Sequence, residues 1–284
     1  MKIVSVVGAR PNFMKIAPFI RSIEEHNSGS DEKVEHILVH TGQHYDVRMS
    51  QNFFDELNIP DADIHLGVGS GSHAEQVGKT MIEFEKVLQQ EKPDWVVVVG
   101  DVNATLACSV TAKKEHIKCC HIEAGLRSFN MAMPEEINRI VCDQLSSVLF
   151  APTRTAVNNL AEEGFGNDKV QFTKGKERLV INAGDVMYDN SRHFSQFSQN
   201  HTQIVKDLGL TENDFILSTI HRNNNTDEPE RLESIIKALI HISETENMTV
   251  VLPLHPRTKK LLPVNLSVAT YQKLISNKYI RIIP

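Results

Sequence analysis

His121 to Arg139 reads HIEAGLRSFNMAMPEEINR. It begins as the end of an apolar run, Ile117 to Ile122, and Glu123 is the first charge after that run. A glycine follows, then Arg127, then the adjacent carboxylates Glu135 and Glu136 behind Pro134, with Arg139 at the close. The pattern is a buried strand, a charged loop and a helix whose first turn carries an N1-type proline. In an open α/β sheet, ligands bind at the carboxyl ends of the strands. A carboxylate at such an end is where chemistry is expected.

Reading outward, the same unit recurs. Asp94 to Val99 (DWVVVV) is a strand apolar on both faces, ending in Gly100-Asp101 before a helix with Thr105, Leu106 and Cys108. Asp101 reads either as an N-cap or as a catalytic group at a central strand end. Downstream come a helix from Pro134 to Leu149, a strand from Val148 to Ala151, and a helix from Pro152 to Gly164 with a glycine stop. Upstream, Lys2 to Gly8 is a β-branched strand, and Pro11 to Asn27 has helical spacing at Phe13, Ile16, Ile20 and Ile23. Arg10 and Lys15 flank that helix start. They read either as surface charges or as an anion site, most simply for a phosphate at the free N–H groups. Val34 to Val39 is another strand, followed by the polar loop Thr41-Gly42-Gln43-His44-Tyr45. The β-α repetition predicts an α/β fold with a doubly wound parallel sheet.

Between Asp168 and Asp185 the periodicity weakens, which predicts two domains, 1–175 and 176–284. The second reads as a polar helical stretch from Val186 to Asp207, a strand from Phe215 to Ile220 ending in His221-Arg222, and an amphipathic helix from Glu228 to Glu246. That helix has Leu232, Ile235, Ile236, Leu239 and Ile242 on one stripe. Strands at Thr249 to Leu254 and Tyr279 to Ile283 follow, so the second Rossmann-like domain is expected to be incomplete.

Composition excludes several classes. A net charge of −6 over 284 residues is not the basic surface nucleic acid requires. The longest apolar run, Trp95 to Val99, is far short of the roughly 20 residues of a membrane span. Met1 to Gly8 lacks a leader's cleavage site and reads as a first strand. The four cysteines, Cys108, Cys119, Cys120 and Cys142, form no C-x-x-C pair. They read as buried apolar groups of a reducing cytoplasm, and no metal is expected. The histidines 36, 40 and 44 are spaced four apart, which suits a helix and not a strand-to-loop path, so no shared metal is expected and only His44, in the loop, is kept as a ligand candidate. LGVGSGS (66–72) lacks the third glycine of a dinucleotide fingerprint, and there is no P-loop.

Several stretches together resemble the non-hydrolysing UDP-N-acetylglucosamine 2-epimerases: VVGARPNFMKIAP (6–18), TGQHYD (41–46), GDVNATLA (100–107), HIEAGLRS (121–128), MPEEINR (133–139), TIHR (219–222) and LHPRTKK (254–260). The resemblance implies two Rossmann-like domains of GT-B type, a homodimer, and a UDP-sugar substrate. It implies no cofactor and no metal. The implied reaction removes the C2 proton with anti loss of UDP, giving 2-acetamidoglucal, to which UDP re-adds. By motif position Asp101, Glu123, Glu135 and His221 correspond to the catalytic groups. Arg10, Lys15, Arg127 and Arg222 correspond to substrate-binding cations, and Gln43 and His44 to contacts with a second, activating UDP-GlcNAc. Asn12 stands where the family commonly has an acidic residue. Asn223 and Asn224 follow His221-Arg222 where many members have arginine and glutamate. The family's D-S-G-G-type loop and T-E-R-P-E stretch are not in this sequence. The alternative expectation is therefore a truncated, inactive sugar-nucleotide-binding module. A hydrolysing 2-epimerase or a GT-B glycosyltransferase is a more distant alternative.

Overall fold

A computed structural model describes residues 1–42, 61–166, 178–201, 203–210 and 214–283. Gln43 and His44 lie outside the described residues. The chain divides into two compact units, Met1–Phe197 and Ser198–Pro284.

The first unit holds strands β1 (Lys2–Val7), β2 (Glu35–His40), β3 (Ile64–His65), β4 (Trp95–Val99), β5 (Lys118–Ile122), β6 (Val148–Ala151) and β7 (Leu179–Asn182). Its helices are α1 (Arg10–Gly29), α2 (His73–Glu91), α3 (Asn103–Lys114), α4 (Pro134–Leu145) and α5 (Arg154–Glu162), and α6 (Val186–His201) begins in it and ends past Phe197. Sheet order is β3-β2-β1-β4-β5-β6-β7, and every pairing is parallel. The order reverses between β1 and β4, which is the switch point where such sheets open a crevice.

The strands alternate between two cores. Val7, Val97, Val99 and Ile122 pack with Phe13, Ile16 and Ile20 of α1. Val4, Val6, Val96 and Val98 pack with Phe84 and Leu88 of α2, Cys108 and Ala112 of α3, and Cys142 of α4. Burial on both faces explains why the central strands read as unbroken apolar runs. All four cysteines are free and buried, and burial pushes the Cys120 thiol up to about 12.

The helix expected from Pro134 to Leu149 ends at Leu145. The Ser146 N–H closes on the Cys142 carbonyl and the Ser147 N–H passes to Cys119 of β5, so the chain is already entering β6. The compact division falls later than the joint read near residue 175, because β7 pairs with β6 and Val186 and Phe194 of α6 pack on the α1 side of the sheet.

The second unit has α7 (Ile204–Asp207), β8 (Phe215–Leu217), α8 (Asn223–Thr226), α9 (Pro229–Thr245), β9 (Thr249–Pro253), α10 (Pro256–Asn265), α11 (Val268–Ser276) and β10 (Ile280–Ile283). Its parallel sheet runs β10-β9-β8. The α9 stripe is Leu232, Ile236 and Ile240, with Ile235 and Leu239 partly buried against it, while Ile242 lies exposed. None of the described helices is long and apolar enough to cross a membrane.

Candidate active site

The candidate site lies where β1, β4 and β5 end. Register aligns Val99 with Ile122, so Gly100 and Glu123 leave adjacent strands at the same level. Neighbouring strands are about 4.8 Å apart. The turns carrying Asp101 and Glu123 are therefore side by side, next to the β1/β4 switch point.

Asn12, in the first turn of α1, ties this rim together. Its Oδ1 accepts from the Gly8 and Ala9 N–H groups at 3.1 and 3.0 Å, and its Nδ2 donates to the Val99 carbonyl at 2.8 Å. The residue is 1% exposed. A carboxylate at this position would have no donor for Val99. That is the physical content of the departure noted at position 12.

Lys15, one turn on, reaches back over Gly100. Its Nζ lies 2.7 Å from Glu123 Oε2. Gly100 has φ +67°, and a Cβ there would stand 2.9 Å from the Lys15 Nζ. Glycine thus allows both the turn and the passage of the lysine. Glu123 itself has φ +77°, a conformation non-glycine residues seldom hold without restraint.

Asp101 is not the helix cap. The N-cap of α3 is Val102, without a side-chain cap bond. The Asp101 carboxylate instead meets Arg139, Oδ2 to Nη1 at 2.5 Å, while Asn138 Nδ2 donates to the Asp101 carbonyl at 2.8 Å. Arg139 also bonds Glu136 Oε2 through Nη2 at 2.6 Å. Each of the two central carboxylates therefore has its own cation, Lys15 for Glu123 and Arg139 for Asp101.

Glu135 and Glu136 are adjacent but serve different surroundings. Glu135 is exposed in the first turn of α4 and has no partner among the described residues. Glu136 is 1% exposed. It accepts from the Ser128 N–H, the Ser128 hydroxyl and the Phe129 N–H at 2.9 to 3.1 Å. Burial pushes this carboxyl up, but the Ser128 N–H, the Arg139 guanidinium, the Phe129 N–H and the Ser128 hydroxyl outweigh it and hold the group at about 2. Glu136 is thus a clamp on the loop that follows Glu123.

Because its folded value lies below the ordinary 4.5, Glu136 contributes stability that is present above about 4.5 and lost as the pH falls toward 2. Glu136→Gln would turn an amide donor toward the Ser128 and Phe129 N–H groups. It is expected to destabilise the chain at pH 7 by about 2–3 kcal/mol. In urea unfolding the gap between parent and variant should narrow between pH 5 and pH 3. An equal gap at both values would remove the carboxylate from this role.

Arg127 is not open to a ligand. Its side chain is 2% exposed, with Nη2 2.8 Å from Asp143 Oδ2 and Nε 2.6 Å from Glu163 Oε1. Asp143 also takes the Gly125 N–H at 3.0 Å and His121 Nδ1 at 2.6 Å. The expected substrate contact of Arg127 is thus replaced by an internal one, because Asp143 and Glu163 already occupy its fork. Arg10 opens α1. His221 and Arg222 are exposed on the second unit, Arg222 as the N-cap of α8. Reading the sequence alone missed Arg139, Asn138, Asp143 and the role of Asn12. A signal for Arg139 was present, since it lies one helical turn beyond Glu135 and Glu136.

A family model described as UDP-N-acetylglucosamine 2-epimerase matches residues 26–283. The chain is 46% identical over 263 residues to the UDP-2,3-diacetamido-2,3-dideoxy-D-glucuronate 2-epimerase of Pseudomonas aeruginosa, covering 92% of this chain and 69% of that one. The crystal structure of Methanocaldococcus jannaschii UDP-GlcNAc 2-epimerase in complex with UDP-GlcNAc and UDP superposes with a TM-score of 0.76 at 40% identity. It covers all of this chain and 73% of that one. A lipopolysaccharide outer core galactosyltransferase, at 13% identity and a TM-score of 0.51, shares the fold alone.

Proposed function

The chain belongs to the UDP-N-acetylglucosamine 2-epimerase family, and on that premise we propose that it inverts C2 of a UDP-linked 2-acetamido sugar by elimination and re-addition of UDP. A carboxylate takes the C2 proton, and the C–H electron pair becomes a C1=C2 double bond. The C1–O bond to UDP breaks on the opposite face. Protonation of C2 from the other side and return of UDP to C1 give the epimer.

The observation that supports this best is the pair of strand-end carboxylates, Asp101 and Glu123, side by side at the switch point and each with its own cation. Proton transfers at one carbon need two such groups on fixed supports. The neighbouring α1 N-terminus, with Arg10 and Lys15, supplies N–H groups and positive charge suited to a diphosphate. Glu135, exposed and without a partner among the described residues, is assigned as a third acid; by their motif positions His221 is assigned as a catalytic group and Arg222 as a substrate-binding one. Gln43 and His44 are kept as contacts for a second UDP-GlcNAc, and a homodimer as the assembly.

The relatives' names suggest two sugars to test: UDP-N-acetylglucosamine, and the diacetamido glucuronate of the 46%-identical relative. Both carry UDP on C1 and an acetamido group on C2. The test is proton NMR in D₂O with each sugar and no acceptor. Disappearance of the C2 proton signal, with both epimers present and UDP not accumulating, is expected for the true substrate. UDP as the final product would mean hydrolysis. Binding of UDP without deuterium entry would leave a binding module.

A further inference from the structure

We propose that His121 is a positioning residue, a buried imidazolium that sets the turn carrying Asp101 and, through Asp143, the turn that follows Glu123. The role rests on the epimerisation reading above, since it assigns those two carboxylates their work.

His121 lies on β5 with no exposed surface. Its Nε2 is 2.7 Å from the Gly100 carbonyl and its Nδ1 is 2.6 Å from Asp143 Oδ1. Both partners are acceptors only. A neutral imidazole has one N–H, so it would leave one nitrogen lone pair facing an oxygen lone pair in a dry interior. The ring that satisfies both contacts carries two N–H groups and a positive charge. Burial alone would pull its pKa down, but Cys142 and, after it, the Asp143 carboxylate raise it well above the ordinary value.

The charge is balanced locally. Arg127 and His121 face Asp143 and Glu163, two cations against two carboxylates. Burial of Asp143 opposes its charge, yet His121 and Arg127 hold its carboxyl below the usual range.

The geometry links the two working turns. Gly100 accepts from His121 at its carbonyl and donates its N–H to the Ile122 carbonyl, so the residue leading into Asp101 is held on both sides. Asp143 takes the Gly125 N–H with the oxygen that His121 does not use. Gly125 in turn gives its carbonyl to Asn159 Nδ2 at 2.9 Å. The unfavourable φ of Glu123 is thus held between the Phe150 carbonyl, which takes the Glu123 and Ala124 N–H groups, and the Asp143 anchor. One buried cation references both carboxylates to the same point of the sheet.

The test uses the full chain and His121→Gln, which retains hydrogen bonding but no charge. Deuterium entry at C2 of the UDP-sugar should slow by about 10²-fold in kcat, the size of a misplacement near 1 Å. KM and UDP affinity should stay within about threefold. Amide hydrogen exchange should quicken by about tenfold or more at Gly100 and Gly125 and not across the rest of the sheet. Unchanged protection at both glycines, or a parallel fall in UDP affinity with protection lost evenly over the sheet, overturns the proposal. Should the variant fail to fold, ¹⁵N NMR of the unmodified chain decides. Both His121 ring nitrogens must carry protons at pH 8, and a neutral ring refutes the role. If the unmodified chain exchanges no C2 proton at all, the epimerisation reading falls, and the glycine amides still report whether His121 sets the two turns.

Discussion

Asp101→Asn is expected to slow deuterium entry at C2 of the UDP-sugar by roughly 10²- to 10⁴-fold, the range lost when a positioned acid or base is removed. The substitution keeps the shape of the side chain and takes away its ability to accept a proton. The backbone should hold its place, because the Asp101 carbonyl is bonded to Asn138 and the preceding Gly100 carbonyl to His121. Arg139 retains Glu136 as a partner, so the loop clamp survives. UDP affinity is expected to stay within about threefold, since the proposed diphosphate contacts lie with Arg10 and Lys15. The comparison is single-turnover exchange in D₂O beside UDP calorimetry. Exchange retained within about tenfold would leave Asp101 without a proton-transfer role.

What the sequence makes legible follows from burial. The strands of a parallel sheet covered on both faces are apolar at every position, so Trp95–Val99 announces itself, and the first charge beyond each run marks the rim where a ligand binds. Asp101 and Glu123 are the first charges beyond two such runs. The two-residue β3 and the half-buried edge strand β7 offer no such run, and the periodicity reading passed over both.

Side-chain fate within the loop was not legible either. Glu135 and Glu136 are the same residue type one position apart. Only the 100° step between them around α4 decides that one faces solvent and the other receives two loop N–H groups. Arg127 sits in a motif that suggests ligand contact, but its partners Asp143 and Glu163 lie 16 and 36 positions along the chain, brought beneath it by α4 and the end of α5. Asp101 as an N-cap was a sound local expectation, and it failed because Arg139, from another helix, took the carboxylate.

Gly125→Ala should have the largest effect on the fold itself. Gly125 has φ +78°, and a Cβ built there would stand 2.4 Å from the Ala156 carbonyl oxygen and 2.9 Å from both the Ala156 carbonyl carbon and Leu160 Cδ1. Backbone cannot step aside as a flexible side chain would. Ala156 is a fixed part of α5, its N–H held by the Thr153 cap, and Leu160 is fully buried. The left-handed conformation alone disfavours alanine by about 1–2 kcal/mol, and forcing a methyl into a packed site adds about 1–3 kcal/mol. A loss of about 2–5 kcal/mol is therefore expected in urea unfolding.

The way the chain would relieve the clash links stability to activity. Moving the Gly125 peptide outward breaks its N–H bond to Asp143 and its carbonyl bond to Asn159, and releases Glu123 two residues earlier. Whatever fraction of Gly125→Ala folds should accordingly show C2 exchange reduced further than UDP binding. Full stability with Ala at 125 would mean that α5 does not pack against the loop as described. Full exchange in a destabilised variant would mean that Glu123 does not depend on the loop's anchorage.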